Sequence, residues 1–253
     1  MKKVIVANWK LNPSTLKEAR LLFSKTKNTL SVAQNVRAIV CPPHVFVQSL
    51  VVDQSSFCMI GSQDVFYEGA GAFTGEVSPA SLKNMKVKYS LVGHSERREM
   101  GDSDLTINKK IVASLAAGLC PILCIGEKNR DDSGSYFIFL RNQLVTALAG
   151  VSRKLAGKIM VAYEPIWAIG KGATRSDSPE DVMEISIYIK KVLTDIYGRE
   201  VGTKIPILYG GSVDEKNASD LIEKGGADGL LVGRASLDID EFSTLLNFLN
   251  EKK

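Results

Sequence analysis

The chain has 253 residues, of which 45% are hydrophobic and 24% charged, and its 32 Lys+Arg against 28 Asp+Glu leave a net charge of +4. This composition excludes a disordered or collagen-like protein, and no run approaches the roughly 18 consecutive apolar residues of a membrane helix. A chain of this length buries enough surface to fold without disulfides or a metal. The Lys/Arg pairs Arg97-Arg98, Lys109-Lys110 and Lys190-Lys191 are scattered and lack interleaved aromatics. Each pair therefore reads as solvated helix surface, and nucleic acid is not an expected partner. The four cysteines, Cys41, Cys58, Cys120 and Cys124, form no C-x-x-C pair. The apolar start Val4-Ile5-Val6-Ala7 is interrupted at Asn8 and Lys10 before a signal-peptide core forms. The expectation is an unprocessed cytoplasmic protein with reduced thiols and no membrane partner.

In chain order, short runs rich in Val and Ile stand at 3–8, 36–41, 58–63, 88–93, 121–125, 158–163, 205–209 and 229–233. Runs this short and continuously apolar predict strands buried on both faces, as in a parallel sheet. Helical periodicity fills the intervals. Residues 103–118 place Ile107, Ile111 and Leu115 on one face and end at Gly118. Residues 178–198 open on Ser178 and Pro179, carry Asp181 three after the cap, run Val182, Ile185, Ile189, Val192 and Ile196 along one stripe, and end at Gly198. The strands recur about every thirty residues, the size of a βαβ unit, with no linker between them. The predicted fold is α/β, a single (β/α)8 barrel domain spanning residues 1–253. An open doubly wound sheet would instead carry a glycine-rich turn after the first strand, where this chain has Asn8-Trp9-Lys10.

A barrel gathers its functional groups beyond the C-terminal ends of its strands. Asn8 and Lys10 follow strand 1, His94, Ser95 and Glu96 strand 4, Cys124 closes strand 5, Glu164 strand 6, Gly210-Gly211-Ser212 strand 7 and Gly233 strand 8. Glu164 closes an apolar run, and a carboxylate stripped of water there suits general-base work; the alternative is a salt-bridged strand-end glutamate. Pro165-Ile166-Trp167-Ala168-Ile169-Gly170-Lys171-Gly172-Ala173 follows it, an apolar loop bounded by Pro and Gly that suits a hinged lid. His94 precedes a helix start, which disfavours imidazolium, so a neutral ring donating a hydrogen bond is expected. The glycine turns after strands 7 and 8 offer bare N–H groups to a phosphate, to which Lys10 would add positive charge. His44 reads as structural, and two histidines with no H-E-x-x-H give no case for a metal.

Residues 64–79 form a long connection with Phe66, Tyr67 and Phe73. A connection of that length is usually functional or disordered, and its aromatics argue against disorder. A partner subunit receiving Phe73 and Thr74 is the preferred reading; packing on its own barrel is the alternative. Cys120 and Cys124 read as small apolar fillers.

Asn8-Trp9-Lys10, GAFTGEVS (71–78), GHSERR (93–98), CIGE (124–127), YEPIWAIG (163–170), YGGSV (209–213) and LVGRASL (231–237) together resemble the triosephosphate isomerase family from end to end. The resemblance implies cofactor-free interconversion of dihydroxyacetone phosphate and D-glyceraldehyde 3-phosphate, a step of glycolysis and gluconeogenesis, by a homodimer. It assigns Glu164 as the base, His94 as the electrophile, and Asn8 and Lys10 as groups holding substrate and offsetting its charge. Ser95, Glu96 and Cys124 are supporting residues; Gly170, Ser212, Gly233 and the N–H of Arg234 grip the phosphate; and Thr74 enters the neighbour's pocket. Three positions depart from the family's habit: Ala173-Thr174-Arg175 at the second lid hinge, Arg234 in place of a glycine, and Asp64 in place of an asparagine. A phosphosugar lyase, which would want a Schiff-base lysine or a metal, and a non-catalytic phosphate binder are the alternatives.

Overall fold

The computed structural model describes residues 2–31, 35–131, 133–168 and 177–251. Eight parallel strands form within the predicted runs or one residue outside them. They are β1 (Lys3–Asn8), β2 (Val36–Cys41), β3 (Cys58–Ser62), β4 (Tyr89–Val92), β5 (Cys120–Ile125), β6 (Met160–Tyr163), β7 (Ile207–Tyr209) and β8 (Gly229–Val232). Each pairs with the next, and β1 pairs with β8, closing a single-domain (β/α)8 barrel. β7 starts two residues later than predicted because Pro206 has no N–H to give the ladder; its carbonyl instead accepts the Val161 N–H at 2.9 Å. The surrounding helices are α1 (Leu16–Leu30), α2 (His44–Val51), α3 (Pro79–Asn84), α4 (Ser95–Glu99), α5 (Asp104–Ala117), α6 (Ser135–Ala147), α7 (Arg153–Ala156), α8 (Pro179–Tyr197), α9 (Arg199–Gly202), α10 (Ala218–Glu223) and α11 (Ile239–Glu251). None of the described helices is long and apolar enough to cross a membrane.

Strand residues alternate between two cores. Val6, Ile39, Met59, Leu91, Ile122, Ala162, Leu208 and Leu231 fill the barrel lumen. Their neighbours, such as Ile5, Val40, Leu123, Val161 and Leu230, face the helices in a larger outer layer. Burial on both faces is why the strands read as unbroken apolar runs. The outer layer fixes the helices. α8 has the expected cap: Ser178 Oγ accepts the Asp181 N–H, and the Asp181 carboxylate accepts the Ser178 N–H. Its residues Val182, Ile185, Ile189 and Val192 are buried, each contributing about 1.5–3 kcal/mol by leaving water. In α5, Ser103 caps the start and Gly118, at φ 81°, ends the helix in the left-handed region.

The basic pairs are not all solvated surface. Lys110 is only 2% exposed, since it falls on the inward face of α5 with Ile107, Ile111 and Ser114. Its Nζ lies 2.8 Å from Asp64 and 2.6 Å from Asp102. Arg97 Nε lies 3.0 Å from the same Asp64 carboxylate, and Arg98 is folded back onto the barrel. Asp64, far off in the sequence, holds both Lys110 and Arg97, which a reading of adjacent residues does not show.

Candidate active site

The alternation that fills the lumen continues past the strand ends. Val6 points inward on β1, and Asn8 is the next position of that parity; Met160 and Ala162 point inward on β6, and Glu164 comes next. These positions open into a cavity of about 490 Å³ at the C-terminal mouth, lined by Asn8, Lys10, His94, Ser95, Glu164, Ser212, Gly233 and Arg234 among others. The polar residues predicted at the ends of β1, β4, β6, β7 and β8 are thus brought together. Asp214 and Glu241 also line this cavity, and the sequence carried no local signal for either. Burial and the charge of Asp238 push the Glu241 carboxyl up from its ordinary value, opposed by Arg234.

Glu164 is 2% exposed. Its N–H donates to Ile125 O at 2.8 Å, and its Oε2 accepts the Ser95 N–H at 3.0 Å, from the first turn of α4. Its Oε1 lies 3.4 Å from His94 Nε2. His94 caps α4: its Nδ1 accepts the Glu96 N–H at 3.2 Å. A ring nitrogen that accepts an N–H carries no proton of its own, which leaves Nε2 as the ring nitrogen with a proton to give towards Glu164. Cys124 lies beneath in the lumen, where burial, and then the charge of Glu164, push its thiol well above the usual range. It fills space next to Glu164, as a buried neutral thiol does.

Lys10 holds a strained conformation at φ 52°, costly for a side chain with a Cβ. Three bonds hold it there. The Lys10 N–H donates to Asn8 Oδ1 at 3.0 Å, its carbonyl accepts Gln63 Nε2 at 2.7 Å, and its Nζ pairs with Glu96 Oε1 at 2.7 Å. Gln63 also donates to Cys41 O at 2.9 Å. Its positioning role escaped the sequence reading, because its partners are backbone carbonyls on other strands.

The start of the expected lid is a 3-10 turn, Ile166–Ala168. Trp167 is buried there and donates through Nε1 to Glu127 Oε1 at 2.8 Å, which also accepts Tyr163 OH at 2.8 Å. Burial pushes the Glu127 carboxyl up, with these two hydrogen bonds opposing. Ser212 Oγ donates to Ala168 O at 3.0 Å, linking the β7 turn to the same segment. Ile169, Gly170, Lys171, Gly172 and Ala173, with Thr174 and Arg175, lie outside the described residues. Phe73 and Thr74, on the connection 64–79, do not line this cavity; Phe73 is 43% exposed and its ring centre lies 4.7 Å from that of Phe66, tilted by 50°.

A closed (β/α)8 barrel whose mouth joins a buried carboxylate, an imidazole, an ammonium and glycine turns is the layout of an enzyme for a small anionic substrate. The family model described as triosephosphate isomerase matches residues 3–249, and the chain belongs to the triosephosphate isomerase family. That family is one of intramolecular aldose-ketose isomerases (EC 5.3.1.1) and works in glycolysis.

Proposed function

We propose that this chain interconverts dihydroxyacetone phosphate and D-glyceraldehyde 3-phosphate with Glu164 as the base and His94 as the electrophile. The single observation that carries the reading is the pairing of Glu164 Oε1 with His94 Nε2 at 3.4 Å inside the mouth that also holds Lys10. Glu164 removes a proton from the carbon beside the carbonyl; the C–H electrons form a C=C bond, and the carbonyl electrons move onto oxygen as an enediolate. His94 Nε2–H and the Lys10 ammonium stabilise that oxygen charge; by way of His94 Nε2 the substrate's hydroxyl proton passes to the former carbonyl oxygen, and the protonated Glu164 returns its proton to the neighbouring carbon as the new carbonyl forms. One carbon is oxidised as its neighbour is reduced, so the rearrangement needs no external oxidant or cofactor. The N–H groups around Ser212, Gly233 and Arg234 suit the phosphate. A lid over residues 165–173 would keep water from the intermediate.

In this reading the chain acts as a homodimer in the cytoplasm. The exposed Phe73 and Thr74 supply the surface a partner would receive, and the four free thiols suit a reducing compartment. The test is turnover of D-glyceraldehyde 3-phosphate in a coupled assay. The purified chain is expected to isomerise it, and Glu164→Gln, which keeps the shape but not the base, to lose about 10²–10⁴-fold in kcat. Near-normal turnover by Glu164→Gln refutes the assignment.

A further inference from the structure

We propose that Arg98 is a positioning residue that sets the geometry between His94 and Glu164. Its side chain is 15% exposed and lies along the backbone between two strand tips. Nε donates to Gly93 O at 2.8 Å, Nη2 to Cys124 O at 3.1 Å, and Nη1 to Asp104 Oδ1 at 2.6 Å. The pairing of β4 with β5 ends at Val92↔Leu123, so Gly93 and Cys124 would be the next rung. The guanidinium takes the place of that rung, joining two carbonyls that have no ladder between them. A planar fork of five donors can do this, and a lysine ammonium cannot reach all three acceptors in one plane.

Gly93 permits the arrangement. Its φ is 78°, and a Cβ there would lie 3.3 Å from Arg98 Nη2 and 2.9 Å from Ile107 Cδ1. The consequences reach both reacting groups. Gly93 immediately precedes His94, and Cys124 immediately precedes Ile125, whose carbonyl holds the Glu164 N–H. Arg98 thereby fixes the tip of β4 to the tip of β5, and β5 fixes β6. Asp104 anchors the far end of the guanidinium on α5.

The inference rests on the roles given above to Glu164 and His94. The test compares Arg98→Lys and Arg98→Met with the parent and with Glu164→Gln, measuring kcat, KM and competitive inhibition by inorganic phosphate. In folded variants kcat is expected to fall about 10–100-fold, as for a displacement near 1 Å, while KM and phosphate inhibition change less than about threefold. A kcat for Arg98→Lys within about twofold of the parent overturns the proposal. So does a loss of phosphate inhibition as large as the loss of kcat, because that reports collapse of the whole mouth. Arg98→Lys keeps the charge and decides the matter should Arg98→Met not fold. If Glu164→Gln is inactive while Arg98→Lys is fully active, only the role of Arg98 fails; an active Glu164→Gln removes the reading of the site itself.

Discussion

A Cβ built on Gly126 would lie 1.7 Å from the carbonyl oxygen of Glu164. The chain after β5 and the chain after β6 therefore cross closer than any side chain allows, with the Gly126 N–H donating to Gln143 Oε1 at 3.0 Å. Glu164 is placed by what its neighbour lacks as much as by the bonds it makes. Gly126→Ala is expected to push the Glu164 backbone aside, costing about 3 kcal/mol of stability. It should also lower kcat about 10²-fold. Urea unfolding and steady-state kinetics on one preparation check both, and full activity in the variant would show that the close approach does not set the proposed base, Glu164.

Lys110 is paired with two carboxylates, and Asp64 with two cations. Removing Lys110 leaves buried carboxylates short of a counter-charge. Lys110→Met is expected to destabilise the fold by about 3–5 kcal/mol, and by clearly less when Asp64→Asn is already present. Unfolding free energies around the double-mutant cycle measure the difference; additive losses would show the ion pair to be inert.

The hydroxyl of buried Tyr197 has no hydrogen-bond partner among the described residues. Burial pushes its ionisation up from 10.0 to about 12. Between those values the unfolded chain loses the proton first and the folded chain keeps it, so the folded state binds more protons and stability falls as pH rises. Tyr197→Phe is expected to be more stable than the parent by about 1 kcal/mol at pH near 8. The gap should widen as pH climbs from 10 towards 12. Paired unfolding curves across that range test it, and a constant gap would contradict the assigned cause.

The connection 64–79 exposes Phe73 and Thr74 at its tip. If the proposed partner subunit receives Thr74, a charge placed there costs desolvation with no counter-ion. Thr74→Arg is expected to shift the parent from a dimeric to a monomeric sedimentation mass and to lower kcat. A parent that sediments as a monomer at micromolar concentration would remove the proposed dimer.

Much of the mouth is legible in the sequence because it is written in strand parity. Asn8 and Glu164 are polar residues at the next inward position after an apolar run, and a closed barrel sends that position to its axis. His94 is legible for a second reason: Ser95-Glu96-Arg97-Arg98 reads as a helix start, and the histidine before it becomes the cap. Lys110 carried a fainter signal, a lysine among inward-facing positions of α5, which periodicity alone assigns to the core. Arg98 and Gln63 carried none, since the contacts by which they join strand ends are to backbone carbonyls.

The sequence by itself determined the eight strand–helix units, the closed barrel they make, the family, and which polar residues stand at strand ends, because alternation and periodicity are properties of neighbouring residues. Tertiary structure alone decided that Asp64 meets the buried Lys110, and how Arg98, Gln63 and Gly126 place the segments that carry His94, Lys10 and Glu164. Those depend on distances between segments tens of residues apart, and such distances exist only once the barrel has closed.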